Sequence, residues 1–392
     1  MKKLLIIGVA FGLAISSCDN INSKLDSKKE SSFLAQMLGS ESSGDVFSGT
    51  IAEGSFIPVS KMHTARAAHT ATLLKDGTVL VCGGFAGSTN SLSSAELYNP
   101  TSKSFTKLND LNTSRVSHSA TLLPNGKILI AGGYDGNSLF TTEIYDPETK
   151  VFSHGPNMNT ARYGHTATPL NDGRILFTGG VGSGWTFLSS SEIYDIGANQ
   201  FRPAGSMTVA RESHTATLLK NGNVLITGGH RDRRENITVY SSAEIYDSKS
   251  NRFSETGALN LPRHKHDAIL LSDGKVLVNG GADSRDSLYS SAEIYDPGTA
   301  KFTSISNLNF PRFKHKETSV LLSDNNVLIG GGSDKAEIYN FKTGNFSPLQ
   351  GSMGATRLFS CSTLLDNGEV LITGGYDENI RAISGASLFV KK

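Results

Sequence analysis

An arginine followed three residues later by a histidine recurs along most of this chain, and that recurrence restricts the fold more than any other feature. The pairs are Arg66/His69, Arg115/His118, Arg162/His165, Arg211/His214, Arg263/His266 and Arg312/His315. A seventh unit carries Arg357 with Ser360 in the histidine place. Successive arginines stand 49, 47, 49, 52, 49 and 45 residues apart. Self-similarity at a fixed period near 50 means one supersecondary unit repeated, each burying its apolar face against the next.

Every unit reads the same way. A short alternating segment such as His69-Thr70-Ala71-Thr72-Leu73-Leu74 meets an Asp-Gly or Asn-Gly turn (Asp76-Gly77, Asn125-Gly126). Those dipeptides supply the positive φ that tight hairpins require. A second apolar strand follows, such as Val79 to Val81, and ends in Gly-Gly, the pairs running from Gly83-Gly84 to Gly374-Gly375. After a loop of variable length comes Glu96-Leu97-Tyr98, echoed by Glu143-Ile144-Tyr145 and Glu192-Ile193-Tyr194. An Asp-Pro or similar turn then leads to a fourth strand carrying one Phe. Four strands per unit with these residues resemble the kelch repeat, in the bacterial variant similar to the central domain of galactose oxidases, over about residues 53–392. The resemblance implies an all-β, seven-bladed propeller with four antiparallel strands per blade.

Ring closure is legible as well. The fourth-strand Phe stands ten residues before the next Arg at Phe105, Phe152, Phe201, Phe253 and Phe302, and eleven before it at Phe346. The last unit stops after its third strand, Ala386-Ser387-Leu388-Phe389, whereas Phe56 lies ten residues before Arg66 with no strands of its own ahead of it. The segment around Phe56 is therefore expected to supply the outer strand of the last blade. Closure of that kind removes open sheet edges, which invite aggregation.

The N-terminus sets an expected compartment. Lys2 and Lys3 precede an apolar run from Leu4 to Ile15, the length of a signal-peptide core and too short to span a bilayer. It ends in Ile15-Ser16-Ser17-Cys18, which resembles the bacterial lipobox and implies lipid on Cys18. The reading is a signal peptide over 1–17, a lipidated Cys and polar tether over 18–50, and a propeller over 51–392. It places the protein in the bacterial cell envelope, on the periplasmic face or the cell surface, held to the membrane by its N-terminal lipid alone. Cys82 and Cys361 are the other cysteines and fall in strands of different blades, so both read as packed free thiols. A formal net charge of +1 argues against a nucleic-acid partner. The expected assembly is a monomer.

Strand parity sorts the loops. The Asp-Gly turns and the third-to-fourth-strand turns share one face and are short and alike. Loops after Gly-Gly and the inter-blade connections share the other, and there the loops differ in every repeat. Function usually sits on variable loops held by a rigid frame. Aromatic residues expected to stand exposed recur there: Phe85, Tyr134, Phe140, Trp185, Phe187, Tyr240, Tyr289 and Tyr376. Blades 4 to 6 concentrate basic residues: His230, Arg231, Arg233 and Arg234, then Arg263, His264 and Lys265, then Arg312, Lys314 and Lys316, with Arg285 on a loop between. Asp232 and Glu235 are interleaved, so a solvated self-paired loop and an anion-binding sector are both open readings. The candidate partner face comprises Phe85, Tyr134, Trp185, His230, Arg231, Arg233, Arg234, Arg285, Tyr289 and Tyr376.

The repeated residues read as scaffold: Arg66, His69, Arg115, His118, Arg162, His165, Arg211, His214, Arg263, His266, Arg312, His315 and Arg357. A residue present in nearly every blade serves the blade, by Arg pairing with a repeat Glu such as Glu96 or by bonds to neighbouring loops. Symmetry spreads the histidines around the axis rather than onto the ~2 Å shell a metal needs. Galactose oxidase chemistry implies two Tyr, two His and a Tyr-linked Cys around copper, and neither cysteine here is placed for it. No phosphate loop, nucleophile elbow or zinc motif occurs. No catalytic residue, cofactor or metal is assigned, and the expected function is binding of a protein or glycan partner through the variable face. The alternative is a sugar epimerase or mutarotase, with Asp135, Glu235, Asp283 or Glu378 as acid/base beside Arg231 or Arg285.

Overall fold

The computed structural model describes residues 51–87, 90–233 and 236–391. Residues 1–50, where a signal peptide, a lipidated Cys18 and a tether were expected, lie outside the described residues, as does Arg234. Seven four-stranded antiparallel sheets stand around a central axis. Blade 1 is Thr70–Leu73, Val79–Cys82, Ala95–Asn99 and Ser104–Lys107, in that order from the axis outward. The next five blades repeat the pattern, their innermost strands being Ser119–Leu122, Thr166–Pro169, Thr215–Leu218, Asp267–Leu270 and Ser319–Leu321. Blade 7 takes Cys361–Leu364, Val370–Thr373 and Ala386–Val390 from the end of the chain and Ser55–Pro58 from its beginning. Phe56 pairs with Phe389 in that sheet, their rings 5.8 Å apart, so the expected closure is found. A further bond from Ala52 N–H to the Pro348 carbonyl ties the same segment to blade 6.

Burial explains the strand pattern. The second strand of each blade is buried throughout, as in Val79–Cys82 and Val224–Thr227. Its side chains on both faces meet neighbouring blades: Leu80 and Cys82 of blade 1 pack with Ile128, Ile130, Tyr145 and Phe152 of blade 2. A strand buried on both sides reads as a continuous apolar run. Third-strand Tyr and fourth-strand Phe lie opposite one another, with ring centroids 4.8–5.1 Å apart in blades 1 to 6.

Polar groups do the joining. The Arg66 guanidinium is fully buried and donates to the carbonyls of Gly83 and Ser94 and to Glu96 Oε1 at 3.0 Å. Glu96 also accepts from the His63 and Thr64 N–H groups, which locks the incoming connection onto the blade. The same pairing joins Arg115–Glu143, Arg162–Glu192, Arg211–Glu244, Arg263–Glu293 and Arg312–Glu337, at 2.8–3.0 Å. Each arginine carbonyl accepts the second Gly N–H of the preceding blade, from Gly84→Arg115 round to Gly375→Arg66. Histidine completes the seam: His118 Nε2 bonds Thr70 Oγ1 at 3.0 Å and His165 Nε2 bonds Ser119 Oγ at 3.0 Å. The first glycine of the pair is forced. Gly83 has φ +64°, and a Cβ there would lie 2.5 Å from the His118 ring and 2.6 Å from the Arg115 carbonyl.

Two units depart from this scheme. In blade 6, two extra residues separate His315 from the inner strand. The buried Asp267 carboxylate of blade 5 collects the Glu317, Thr318 and Ser319 N–H groups at 2.7–2.9 Å, which holds that bulge in place. Lys316 is thereby carried across the axis, where its Nζ lies 3.4 Å from the His165 carbonyl of blade 3. In blade 7, Arg357 has no carboxylate partner among the described residues; it donates to Gly374, Gly385 and Met353 carbonyls, with Ser387 standing where the glutamate would be. Burial lowers its pKa to about 10, leaving a charged, uncompensated guanidinium. Cys82 and Cys361 are buried and free, and burial raises both thiol pKa values.

Two stability predictions follow from these seams. Ser387→Glu gives Arg357 its missing partner and is expected to raise stability by about 1–3 kcal/mol, whereas Glu143→Gln strands Arg115 and costs about 3–5 kcal/mol. Denaturant titration of both variants measures this. Burial, aided by the adjacent arginines, holds the seam histidines far below their usual range, to about 3 for His118 and His315. The unfolded imidazoles take up protons below about pH 6.5 and the folded ones do not, so stability is complete above that pH. Each seam histidine then removes up to about 1.4 kcal/mol per pH unit as the pH falls. Unfolding monitored by circular dichroism is expected to show a steep acid transition below pH 6, and stability flat down to pH 4 would contradict this.

Candidate functional site

One backbone position per blade lines the channel mouth on the variable-loop face. It lies between the repeat Arg and His, and its occupants are Ala68, Ser117, Gly164, Ser213, Lys265, Lys314 and Phe359. All have φ between 50° and 62°. Backbone hydrogen bonds link them from blade to blade, as in Ser117→Ala68, Gly164→Ser117, Lys265→Ser213, Lys314→Lys265, Phe359→Lys314 and Ala68→Phe359. Just outside this ring, in blades 1 to 5 and 7, the residue after the repeat Arg pairs with the residue after Gly-Gly: Ala67 with Phe85, Val116 with Tyr134, Tyr163 with Val181, Glu212 with His230, His264 with Ala282 and Leu358 with Tyr376. The repeat fixes the backbone at these positions and leaves the side chains free to differ.

The differences divide the mouth in two. Blades 7, 1, 2 and 3 supply an apolar collar of Leu358, Tyr376, Ala67, Phe85, Val116, Tyr134, Tyr163 and Val181. Exposure was expected for Phe85, Tyr134 and Tyr376, and the structure corrects it: all three are buried at 4–8 % exposure, because they pack against one another under the loops. Trp185 closes this side. It ends a short 3-10 turn, Ser183–Trp185, with φ +62°, and its ring lies 6.1 Å from both Tyr134 and Tyr163. A bulky residue held in the left-handed region is strained, and such strain concentrates at binding sites.

Blades 4 to 6 supply charge. Arg233 reaches across to the collar, its guanidinium 4.7 Å from the Trp185 ring and 5.7 Å from Phe187, and Nη2 donates to Tyr163 Oη at 3.0 Å. Glu212 Oε2 lies 3.6 Å from that guanidinium and 3.3 Å from His230 Nε2. His230 Nδ1 faces His264 Nδ1 at 3.3 Å, and His264 Nε2 looks toward Asp286 at 4.0 Å. Burial, then the Lys265 charge, drives both imidazoles far below their usual range, so both are neutral. Across the Nδ1–Nδ1 contact one neutral ring donates and the other accepts, and His264 Nε2 is a buried atom with no hydrogen-bond partner. Lys265 and Lys314 place their ammonium groups 5.1 and 5.2 Å from the ring centroid of Phe313.

The other candidates stand apart from this mouth. Arg231 is exposed on the extra hairpin of blade 4 (His230–Arg231 with Thr238–Val239) and pairs with Asp232 at 3.2 Å. Arg285 is exposed on a loop that Asp283 caps, and Tyr289 lies under the Arg263 guanidinium at 5.4 Å. Asp135 and Asp283 are held by N–H groups of their own loops, and Glu378 by Asn379 beside it; Glu235 lies outside the described residues. Sequence reasoning missed Tyr163, Glu212, Asp286 and Phe313. The available signal was the position directly after each repeat Arg, where Ala67, Val116, Tyr163, Glu212, His264, Phe313 and Leu358 change chemistry from blade to blade. Two shallow recesses on the opposite face are lined by turn residues such as Lys220, Asp273 and Asp296, or Gly77 and Asp366, without aromatic groups.

The comparisons agree with this architecture. Residues 66–112 and 115–159, the first two repeats, match the Kelch motif. The fold is a seven-bladed propeller whose first two repeats are of the Kelch type. No curated protein matches the sequence. Among solved structures, a fungal alcohol oxidase of the AA5 family, determined in complex with copper, is similar: TM-score 0.68, 18 % identity, with 86 % of this chain and 76 % of that one covered. At that identity the likeness is one of fold. The donors here do not fit the copper chemistry that the galactose oxidase resemblance implied. Among the described residues no three His, Cys, Asp or Glu side chains are disposed to hold a metal. Cys82 hydrogen-bonds to Thr70 and His118 within a core that also holds Tyr145, and Cys361 donates to the His69 carbonyl, so neither thiol is hydrogen-bonded to a tyrosine.

Trp185 is the one tryptophan in the chain, so its emission reports on the mouth directly. Arg233→Ala removes the cation from its face and is expected to shift the emission maximum while leaving the far-UV circular dichroism unchanged. Emission identical to wild type would contradict the stacked arrangement.

Proposed function

We propose that this protein is a cell-envelope lipoprotein whose kelch propeller acts as a binding module, engaging a protein or glycan partner through the variable-loop face. One observation carries the reading. The polar groups that depart from the repeat converge at a single channel mouth: Arg233 on Trp185, Glu212 between Arg233 and His230, and Lys265 beside Lys314. Binding sites of this kind join an aromatic wall to a few convergent polar groups. Lipid on Cys18 with residues 19–50 as tether would leave this face clear of the membrane surface, in keeping with a receptor or adaptor role.

A sugar-converting activity is the second reading, and Glu212 favours it. Its carboxylate sits at the mouth with a guanidinium on one side and an imidazole on the other, which suits an acid/base group acting on a ring hydroxyl.

A glycan-array and pull-down screen with the whole chain tests the binding reading when repeated with two variants. Trp185→Ala/Arg233→Ser is expected to abolish capture of the ligand. Lys220→Ser/Asp273→Ser, on the opposite face, is expected to leave it intact. The reverse pattern would contradict the assignment of the face. Any sugar hit is then followed by NMR for anomer exchange, and turnover lost in Glu212→Gln would move the conclusion to the second reading.

A further inference from the structure

Blade 7 departs from the other six at two side chains that face its repeat arginine. In blades 1 to 6 the arginine Nη2 reaches a glutamate carboxylate at 2.8–3.0 Å, thirty residues further along in blades 1, 3 and 5. Ser387 stands thirty residues after Arg357. In blades 1, 3, 4 and 5 the same Nη2 also meets a serine hydroxyl two residues before the glutamate, and blade 7 has Gly385 in that place. Arg357 Nη2 turns instead to the Met353 carbonyl at 3.0 Å and to Ser387 Oγ at 3.4 Å. Neither partner carries a charge. Burial lowers the Arg357 pKa only to about 10, so the group is a cation at neutral pH, and no charged neighbour among the described residues offsets that burial. A buried charge left without its counter-charge costs folding free energy.

Donors that hold the glutamate elsewhere persist in blade 7. In blades 1, 2, 3, 5 and 6 the N–H two residues before the arginine bonds glutamate Oε1, from Thr64 round to Phe310. Ala355 holds that place, and its N–H finds no acceptor among the described residues. Ser387 is 7 % exposed; its oxygen accepts from Arg357, and its hydroxyl hydrogen has no acceptor among the described residues either. Buried donors are normally satisfied. There is room beside them. A Cβ built on Gly385 would meet Arg357 Nη2 alone, at 3.6 Å, and one on Gly354 would meet nothing within 4 Å. The Gly354 N–H, whose counterparts bond glutamate Oε2 in blades 1 to 6, is taken by Ser352 Oγ of its own turn.

We propose that blade 7 binds a small singly charged anion, chloride or a short carboxylate, against Arg357, Ser387 and the Ala355 N–H, in the place that glutamate holds in the other blades. The guanidinium, the hydroxyl and the N–H all offer hydrogens, so the ligand is one that only accepts. One positive charge and the space of one carboxylate match a monovalent ion, whereas a divalent one would leave charge buried and unpaired. Bound there, the ion joins the connection 353–357 to the third strand of blade 7 as glutamate does elsewhere. This is the blade in which the beginning and the end of the described chain share one sheet, so the ion acts on ring closure and not on the channel mouth.

Scanning calorimetry of the whole protein tests the assignment, with sodium chloride, acetate and the bulky isethionate compared at one ionic strength. Saturating chloride or acetate is expected to raise the unfolding midpoint by about 2 °C over isethionate. In Ser387→Glu, whose own carboxylate pairs with Arg357, that difference is expected to vanish, while general salt effects remain in both proteins. Chlorine-35 NMR reads the ion directly: wild type is expected to broaden the chloride line, acetate to narrow it again, and Ser387→Glu to leave it narrow. Ser387→Ala keeps the cation and loses the hydroxyl, and is expected to weaken chloride about fivefold; it decides the matter should Ser387→Glu unfold. A response to acetate alone would keep the site and make its ligand a carboxylate. Equal responses in wild type and Ser387→Glu would put the ion elsewhere and overturn the assignment, as would no response to either anion. The partner-binding reading of the variable face stands apart from both results.

Discussion

The buried arginine is the group on which the rest of this structure depends. Its guanidinium satisfies two carbonyls and a glutamate of its own blade, while its carbonyl receives a glycine N–H from the blade before. One residue thus fixes both the inside of a blade and the joint to its neighbour. A guanidinium suits the place because its planar fork of donors stays charged and can serve several acceptors at once. A buried ion pair of this type contributes less to net stability than to specificity, since desolvation offsets much of the Coulomb attraction. In a ring built from near-identical units, specificity is what is needed: each blade must meet the next in one register. Blade 7 forgoes the carboxylate and is instead held by strand exchange between the two ends of the described chain.

This division of labour shapes the mouth. Because the seams are satisfied by repeated residues, the positions beside each Arg carry no structural duty beyond their backbone bonds. They diverge into an aromatic half and a charged half. Close approach reinforces the arrangement: Gly164 has φ +62° and faces the Glu212 carboxylate, where a Cβ would come within 2.7 Å of Oε1. Below the mouth, Lys316 crosses the channel to blade 3 because Asp267 holds a two-residue bulge. The axis is therefore spanned from within, and access to the polar cluster is from the variable face.

Much of the fold was legible because repetition multiplies weak signals. A single Gly-Gly is ambiguous, whereas seven in phase define blades, and the ten-residue offset from Phe56 to Arg66 reveals the closing strand. The site was less legible for the same reason. Glu212 and Tyr163 stand next to repeat arginines and are masked by them, although neither belongs to the repeat. Phe85, Tyr134 and Tyr376 read as exposed because their loops are exposed, yet antiparallel bridges to the next turn of chain draw them inward. Arg233 and Arg231 are two residues apart in sequence and serve different purposes, one turned to Trp185 and one paired with Asp232 in solvent. Contacts made across blades are not encoded in local pattern, and those contacts define the site.

The central claim is that scaffold and site are separate sets of residues, with recognition confined to the mouth. Hydrogen–deuterium exchange with and without a saturating ligand from the glycan-array and pull-down screen tests it most directly. The account predicts added protection in segments 183–187, 229–233, 264–265 and 313–317, with the Asp-Gly turns at 75–78, 220–223 and 272–275 unchanged. Protection centred on those turns, or spread evenly over all seven blades, would contradict it.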